Sequence, residues 1–209
     1  MHSLSKHLAM LLSVVFHPLL VPSYLMALLY YGLPAGMGLP SGAMPLPSLL
    51  LQVWALTFVL PAAVIGLLSW LGIVSSVELA ERRQRLLPLL LAAACFMGAT
   101  WLVSRVPHGG LLAQLFFGIT VSVFLTALIT LRWKISAHGI GMGGAVGLLA
   151  WLMLTQRLWG YTAWAWLLAV VALAGAVGWA RLELRAHTHA QVIAGLALGT
   201  AVALGVGAL

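Results

Sequence analysis

Seven stretches of the chain are apolar for long enough to cross a bilayer, and almost no charge interrupts them. They run roughly over 9–31, 49–73, 86–104, 111–131, 139–156, 161–180 and 189–208. A hydrocarbon layer of roughly 30 Å calls for about 20 apolar residues in a helix. Backbone polar groups inside lipid must bond within their own segment, so helices are expected. The alternation of lipid-facing and lumen-facing residues that marks barrel strands is absent. The predicted fold is therefore all-α, a polytopic membrane helical bundle of six to seven transmembrane helices. It forms one integral membrane domain over 1–209.

Charged residues make up 6% of the chain, against roughly 25% in a soluble domain. A water-facing surface cannot be covered with so few, which excludes a soluble globular protein, a disordered chain and a nucleic-acid binder. Cys95 is the single cysteine, so no disulfide forms within the chain. The first apolar run is too long for the core of a signal peptide and reads as a retained helix kinked at Pro18 and Pro22. Gly and Pro crowd 32–48, which reads as a loop.

The net charge of +7 comes from ten Lys and Arg against three Glu. Alternating the spans puts Lys6, Arg82, Arg83, Arg85, Arg132, Lys134, Arg181 and Arg185 on one side, with Arg105 and Arg157 opposite. The excess of positive charge places that side, and the N-terminus, in the cytoplasm. Cations at span ends ordinarily reach for headgroups, and that is the plain reading of each one taken alone.

Three polar clusters share that side: Glu81-Arg82-Arg83-Gln84-Arg85 with Pro88, Lys134-Ile135-Ser136-Ala137-His138, and Arg181 through Gln191. Pairs of spans separate them, so the three loops are able to converge. Guanidinium forks suit phosphate. Ser136 opens a helix whose first amides attract an anion. His138 and His187 stand in different loops, as a nucleophile and an acid would. With no Asp and three scattered Glu, a carboxylate-held metal site is disfavoured; no metal and no cofactor are expected. Thr188 and Gln191 have the spacing of a capping box. Glycines 139, 141, 143, 144 and 147 suit close helix packing. His17 has no evident partner in sequence, and His108-Gly109-Gly110 reads as a turn.

Arg181-x5-His187-x3-Gln191-Val192-x2-Gly195 resembles the last motif of the type-2 phosphatidic acid phosphatase (PAP2) superfamily, R-x5-H-x3-D-V-x2-G. Ser136-Ala137-His138 resembles its middle motif, P-S-G-H, and the 82–88 cluster a degenerate first motif. The resemblance covers about 80–200. It implies a PAP2-like core over about 49–209, the helix at 9–31 being an addition. It also implies metal-independent lipid phosphate phosphatase or phosphotransferase chemistry through a phospho-histidine. His187 would be the nucleophile, His138 the general acid, and Gln191 the orienting residue where the family has Asp. Arg181, Ser136, the amide near Ala137, Arg85 or Arg83, and Lys134 would hold phosphate.

The implied partners are membrane lipids and a lipid phosphate substrate, phosphatidate or a polyprenyl phosphate or diphosphate among them, in a bacterial cytoplasmic membrane. Two other readings fit the same residues. One is an inactive relative that binds an anionic lipid or stabilises a membrane complex, which Gln191 and the altered first motif favour. The other is a transporter of an anionic molecule, which would call for broken helices and repeats.

Overall fold

The computed structural model describes residues 2–33, 46–107 and 109–208. Most of the loop expected over 32–48 and His108 of the expected turn lie outside the described residues. The secondary structure is helical, with no strand among the described residues. Among the described residues six helices are long and apolar enough to cross a membrane: Pro47–Trp70, Arg82–Ser104, Gly110–Thr130, Ala137–Leu154, Tyr161–Glu183 and His189–Gly207. They coincide with the last six apolar runs of the sequence. Their outward faces are apolar, with Leu51, Leu67, Leu168 and Ile193 exposed. Hydrocarbon, not water, satisfies such faces. Trp70, Trp101, Trp133, Trp159 and Tyr161 stand exposed near helix ends, where aromatic rings favour the headgroup layer.

The first apolar run departs from a single kinked span. It forms α1 (His2–Val15) and α2 (Val21–Ala27), separated by a turn over 16–20. Pro18 has no N–H to continue the helix, and it restricts His17 before it. Leu20 and Val21 both donate instead to the His17 carbonyl, at 2.8 and 3.3 Å.

Contacts divide the chain into two units. One holds Met1–Val21 and Ile135–Leu209, the other Pro22–Lys134. The second unit contains α2, α3 (Leu46–Trp54), α4 (Leu60–Trp70), α5 (Leu86–Ser104) and α6 (Gly110–Thr130). Between α3 and α4 the helix widens to a π turn, where the Leu60 N–H donates to Ala55 five residues back. Pro61 follows at once and cannot donate, so the widened turn absorbs the missing bond. Helices α5 and α6 pack on each other, with Thr100 and Thr120 hydroxyls 3.1 Å apart.

The other unit contains α1, α7 (Ala137–Leu154), α8 (Tyr161–Glu183) and α9 (His189–Gly207). Its tightest packing joins α7 and α9. A Cβ on Gly139 would sit 2.9 Å from the Val192 carbonyl, and one on Gly147 2.7 Å from that of Thr200. A Cβ on Gly143 would strike the Leu196 carbonyl, and one on Gly199 the carbonyl of Ile140. Contacts advance in the same direction along both helices, from Gly139 and Gly195 to Trp151 and Gly207, so α7 and α9 are parallel. The seam is sealed by a bond from the Thr200 hydroxyl to the Gly143 carbonyl, 3.0 Å. Small residues let backbones touch in lipid, where no hydrophobic force drives helices together. Of the five α7 glycines, 139, 143 and 147 would clash with α9 if given a side chain, and the Gly144 nitrogen would lie 2.7 Å from a Cβ on Gly199. Gly141 faces Pro18 and Val21, and a Cβ on Gly144 would have only the Gly199 carbonyl, at 3.9 Å.

Gly143→Ala should lower stability by about 1–3 kcal/mol, because the Leu196 backbone cannot yield as a side chain would. Gly175→Ala on α8, where nothing lies within 4 Å, should be neutral or raise stability by about 0.5–1 kcal/mol. Thermal unfolding in detergent, followed by tryptophan fluorescence, checks both.

Candidate functional site

Parallel packing of α7 and α9 brings two helix N-termini to one end of their unit. Helix α8 runs between them along the chain and returns its C-terminal turn, with Arg181, to that end. The Ser136 N–H donates to the Gln191 carbonyl, 3.3 Å, which ties the two starting turns together. Gly195 makes this possible, since a Cβ there would lie 2.6 Å from the Ser136 carbonyl. Both N-termini carry partial positive charge and first-turn amides without partners inside the helix.

The start of α9 is fixed by the capping box that its sequence suggests. Thr188 accepts from the Gln191 N–H at 3.4 Å, and the Gln191 side-chain oxygen accepts from the Thr188 N–H at 3.3 Å. That same oxygen lies 3.0 Å from His187 Nδ1. An amide oxygen only accepts, so Nδ1 must carry the hydrogen and the ring's lone pair sits on Nε2. The capping residue thus also sets the histidine tautomer.

The start of α7 is capped by Ser136, whose hydroxyl accepts from the Gly139 N–H at 3.2 Å. Ser136 is fully buried, so it acts as a strut beneath the first turn. The amides of Ala137 and His138 belong to that turn. His138 Nε2 lies 3.0 Å from the Ser13 carbonyl at the end of α1. His17 meets His138 edge-on, ring centres 5.7 Å apart and planes at 80°. Arg181, His17 and His187 all stand within electrostatic range of His138.

Six of the expected residues therefore share one unit and one end of it: Arg181, Ser136, Ala137, His138, His187 and Gln191. The other three belong to the second unit. Arg85 donates from Nε to the Leu79 carbonyl at 2.7 Å, holding a residue of positive φ in place. Beside it Gln84 accepts from both the amide and the hydroxyl of Ser75, at 2.7 and 2.8 Å. Arg83 is exposed, and Lys134 is half-buried at the end of the unit, two residues before Ser136. Arg82 caps α6 by donating to the Thr130 carbonyl, 3.0 Å, and to that of Leu131. Arg105 rests on the aromatic face of Trp101, and Arg157 on that of Trp151.

Sequence reasoning left His17 without a partner and did not single out Ser13. The available signal was a histidine and a proline inside an otherwise apolar run, which singles out a place but not a partner. His17 lies in the turn between α1 and α2, outside the six spans. Burial, and next the Arg181 charge, hold its pKa below the usual 6.5. Among the described residues no three of His, Cys, Asp and Glu gather as metal ligands would. Comparison with protein-family models, with curated proteins and with solved structures gives no match.

Two outcomes follow. Gln191→Leu removes the capping box and should cost about 1 kcal/mol in thermal unfolding, while Gln191→Glu keeps both acceptors and should cost less. His17 binds its proton less readily when folded than when unfolded, so its contribution is complete above the unfolded value near 6.5 and is lost as pH falls below it. The unfolding temperature should drop on acidification through that range, and drop less in His17→Phe.

Proposed function

We propose that this chain is a divergent relative of the PAP2 superfamily and that it hydrolyses or transfers the phosphate of a lipid phosphate without a metal. The observation that carries the reading is the double acceptance by Gln191: one oxygen takes the Thr188 and His187 hydrogens and so presents His187 Nε2. Arg181 and His187 within electrostatic range of His138, at the end of the unit where α7 and α9 begin, support this reading.

In this scheme Nε2 attacks phosphorus. A nitrogen–phosphorus bond forms as the bond to the lipid oxygen breaks, and protonated His138 gives its hydrogen to that oxygen. Water then attacks the phospho-histidine and returns a proton to His138, releasing inorganic phosphate; a lipid alcohol in place of water makes the reaction a transfer. Charge spread over the phosphoryl oxygens is met by the Arg181 guanidinium and the dipoles of two helix starts.

Gln191 also favours a second reading, a silent relative that holds an anionic lipid without turning it over. A carboxylate would stabilise the His187 cation that forms during attack, and a neutral amide does so weakly. Loss of the analogous charge costs about 10⁴-fold in another enzyme class.

Phosphate release from a panel of lipid phosphates, in detergent with chelator, decides between the two. Turnover should survive chelation, show a bell-shaped pH profile from its two histidines, and disappear in His187→Ala. Gln191→Asp should raise kcat. Silence on every substrate, with the fold intact and anionic lipid still bound, would give the second reading.

A further inference from the structure

The last turn of α1 and the break that follows it touch the site through backbone, ring and glycine contacts. Ser13 offers a carbonyl oxygen, which accepts and never donates. His138 Nε2, 3.0 Å away, must therefore keep its hydrogen whether the ring is neutral or charged. Any proton that His138 takes up or gives away passes through Nδ1.

The break itself is held in a defined shape. The Leu19 N–H donates to His17 Nδ1 at 3.3 Å, orienting the ring that meets His138 edge-on. Gly141, three residues beyond His138 along α7, is where this break seats. A Cβ there would lie 3.5 Å from Val21 Cγ2 and 3.8 Å from Pro18 Cα, so a methyl fits and a longer side chain does not. At the far end of α1, Ser5 donates to Glu183 on α8 at 2.8 Å, anchoring the helix at a second point. The Ser13 hydroxyl is buried with no hydrogen-bond partner, so of this residue's polar side-chain and carbonyl oxygens it is the carbonyl that has a partner, His138.

We propose that the amino-terminal segment 1–21 is a working part of the site: the Ser13 carbonyl and the His17 ring fix His138 as the Nε2–H tautomer and aim its Nδ1 as the proton-exchanging atom. His17 is then a positioning residue for His138. The kinetic consequence rests on the phosphohydrolase reading; the tautomer assignment does not.

The test has a spectroscopic and a kinetic arm. Full-length protein labelled with nitrogen-15 histidine is observed by NMR in detergent, the His138 signals being those lost in His138→Gln. The expected result is a hydrogen on Nε2 in the native protein, and a mixture of tautomers once His17→Ala or Gly141→Leu loosens the segment. Unchanged signals from the other histidines show that each variant is folded, and the two variants perturb the contact from opposite sides.

In the kinetic arm, His17→Ala should lower kcat about tenfold or more with KM little changed, since small misplacement of a catalytic group is costly. His17→Phe should recover most of that loss, because it keeps the edge-on ring. A hydrogen on Nδ1 in the native protein, a tautomer that neither variant disturbs, or a native kcat in His17→Ala overturns the proposal. If the native protein turns over no lipid phosphate, the phosphohydrolase reading fails, and the tautomer result alone decides this one.

Discussion

Close approach of α7 and α9 along their glycine faces is the constraint on which the rest of the site depends. In the register that the glycines set, Gly139 lies against Gly195, and the start of α7 at Ser136 meets the first turn of α9 at Gln191. Side chains at Gly139, Gly143, Gly195 or Gly199 would meet backbone carbonyls that cannot move aside. In lipid this packing is the association force, because burying apolar surface gains nothing when the solvent is itself apolar.

Electrostatics builds on that geometry. Each helix start is electropositive, and Arg181 returns on α8 to the same end. Three histidines join them, while the nearby carboxylate of Glu183 is engaged by Ser5. Helix starts of this kind attract anions, which is the electrostatic support for the lipid phosphate proposal. The same electropositive setting, after burial, holds down the proton affinity of His17.

A side-chain oxygen and a backbone carbonyl then assign the proton positions of two histidines. Gln191 puts the hydrogen of His187 on Nδ1, and the Ser13 carbonyl puts that of His138 on Nε2. The two rings thus carry their hydrogens on opposite nitrogens. Neither assignment needs a charged orienting group, and this is how a chain without aspartate arranges a histidine pair. The cations of the second unit have local work of their own: Arg82 caps α6 and Arg85 pins Leu79.

The sequence by itself determined whatever depends on neighbours along the chain. Apolar length set the six spans. The spacing of Thr188 and Gln191 set the capping box, and Gln191 four residues after His187 set their bond, since both reach less than two helical turns. Glycine spacing on α7 announced close packing. Tertiary structure alone decided which of the five glycines meet α9, that the first apolar run breaks over 16–20, and that Ser13 and His17 lie against His138. The physical reason is one of range. A contact within a turn or two is fixed by spacing and backbone geometry, whereas Ser13 and His138 are separated by 125 positions and meet only because α1 and α7 pack in one unit.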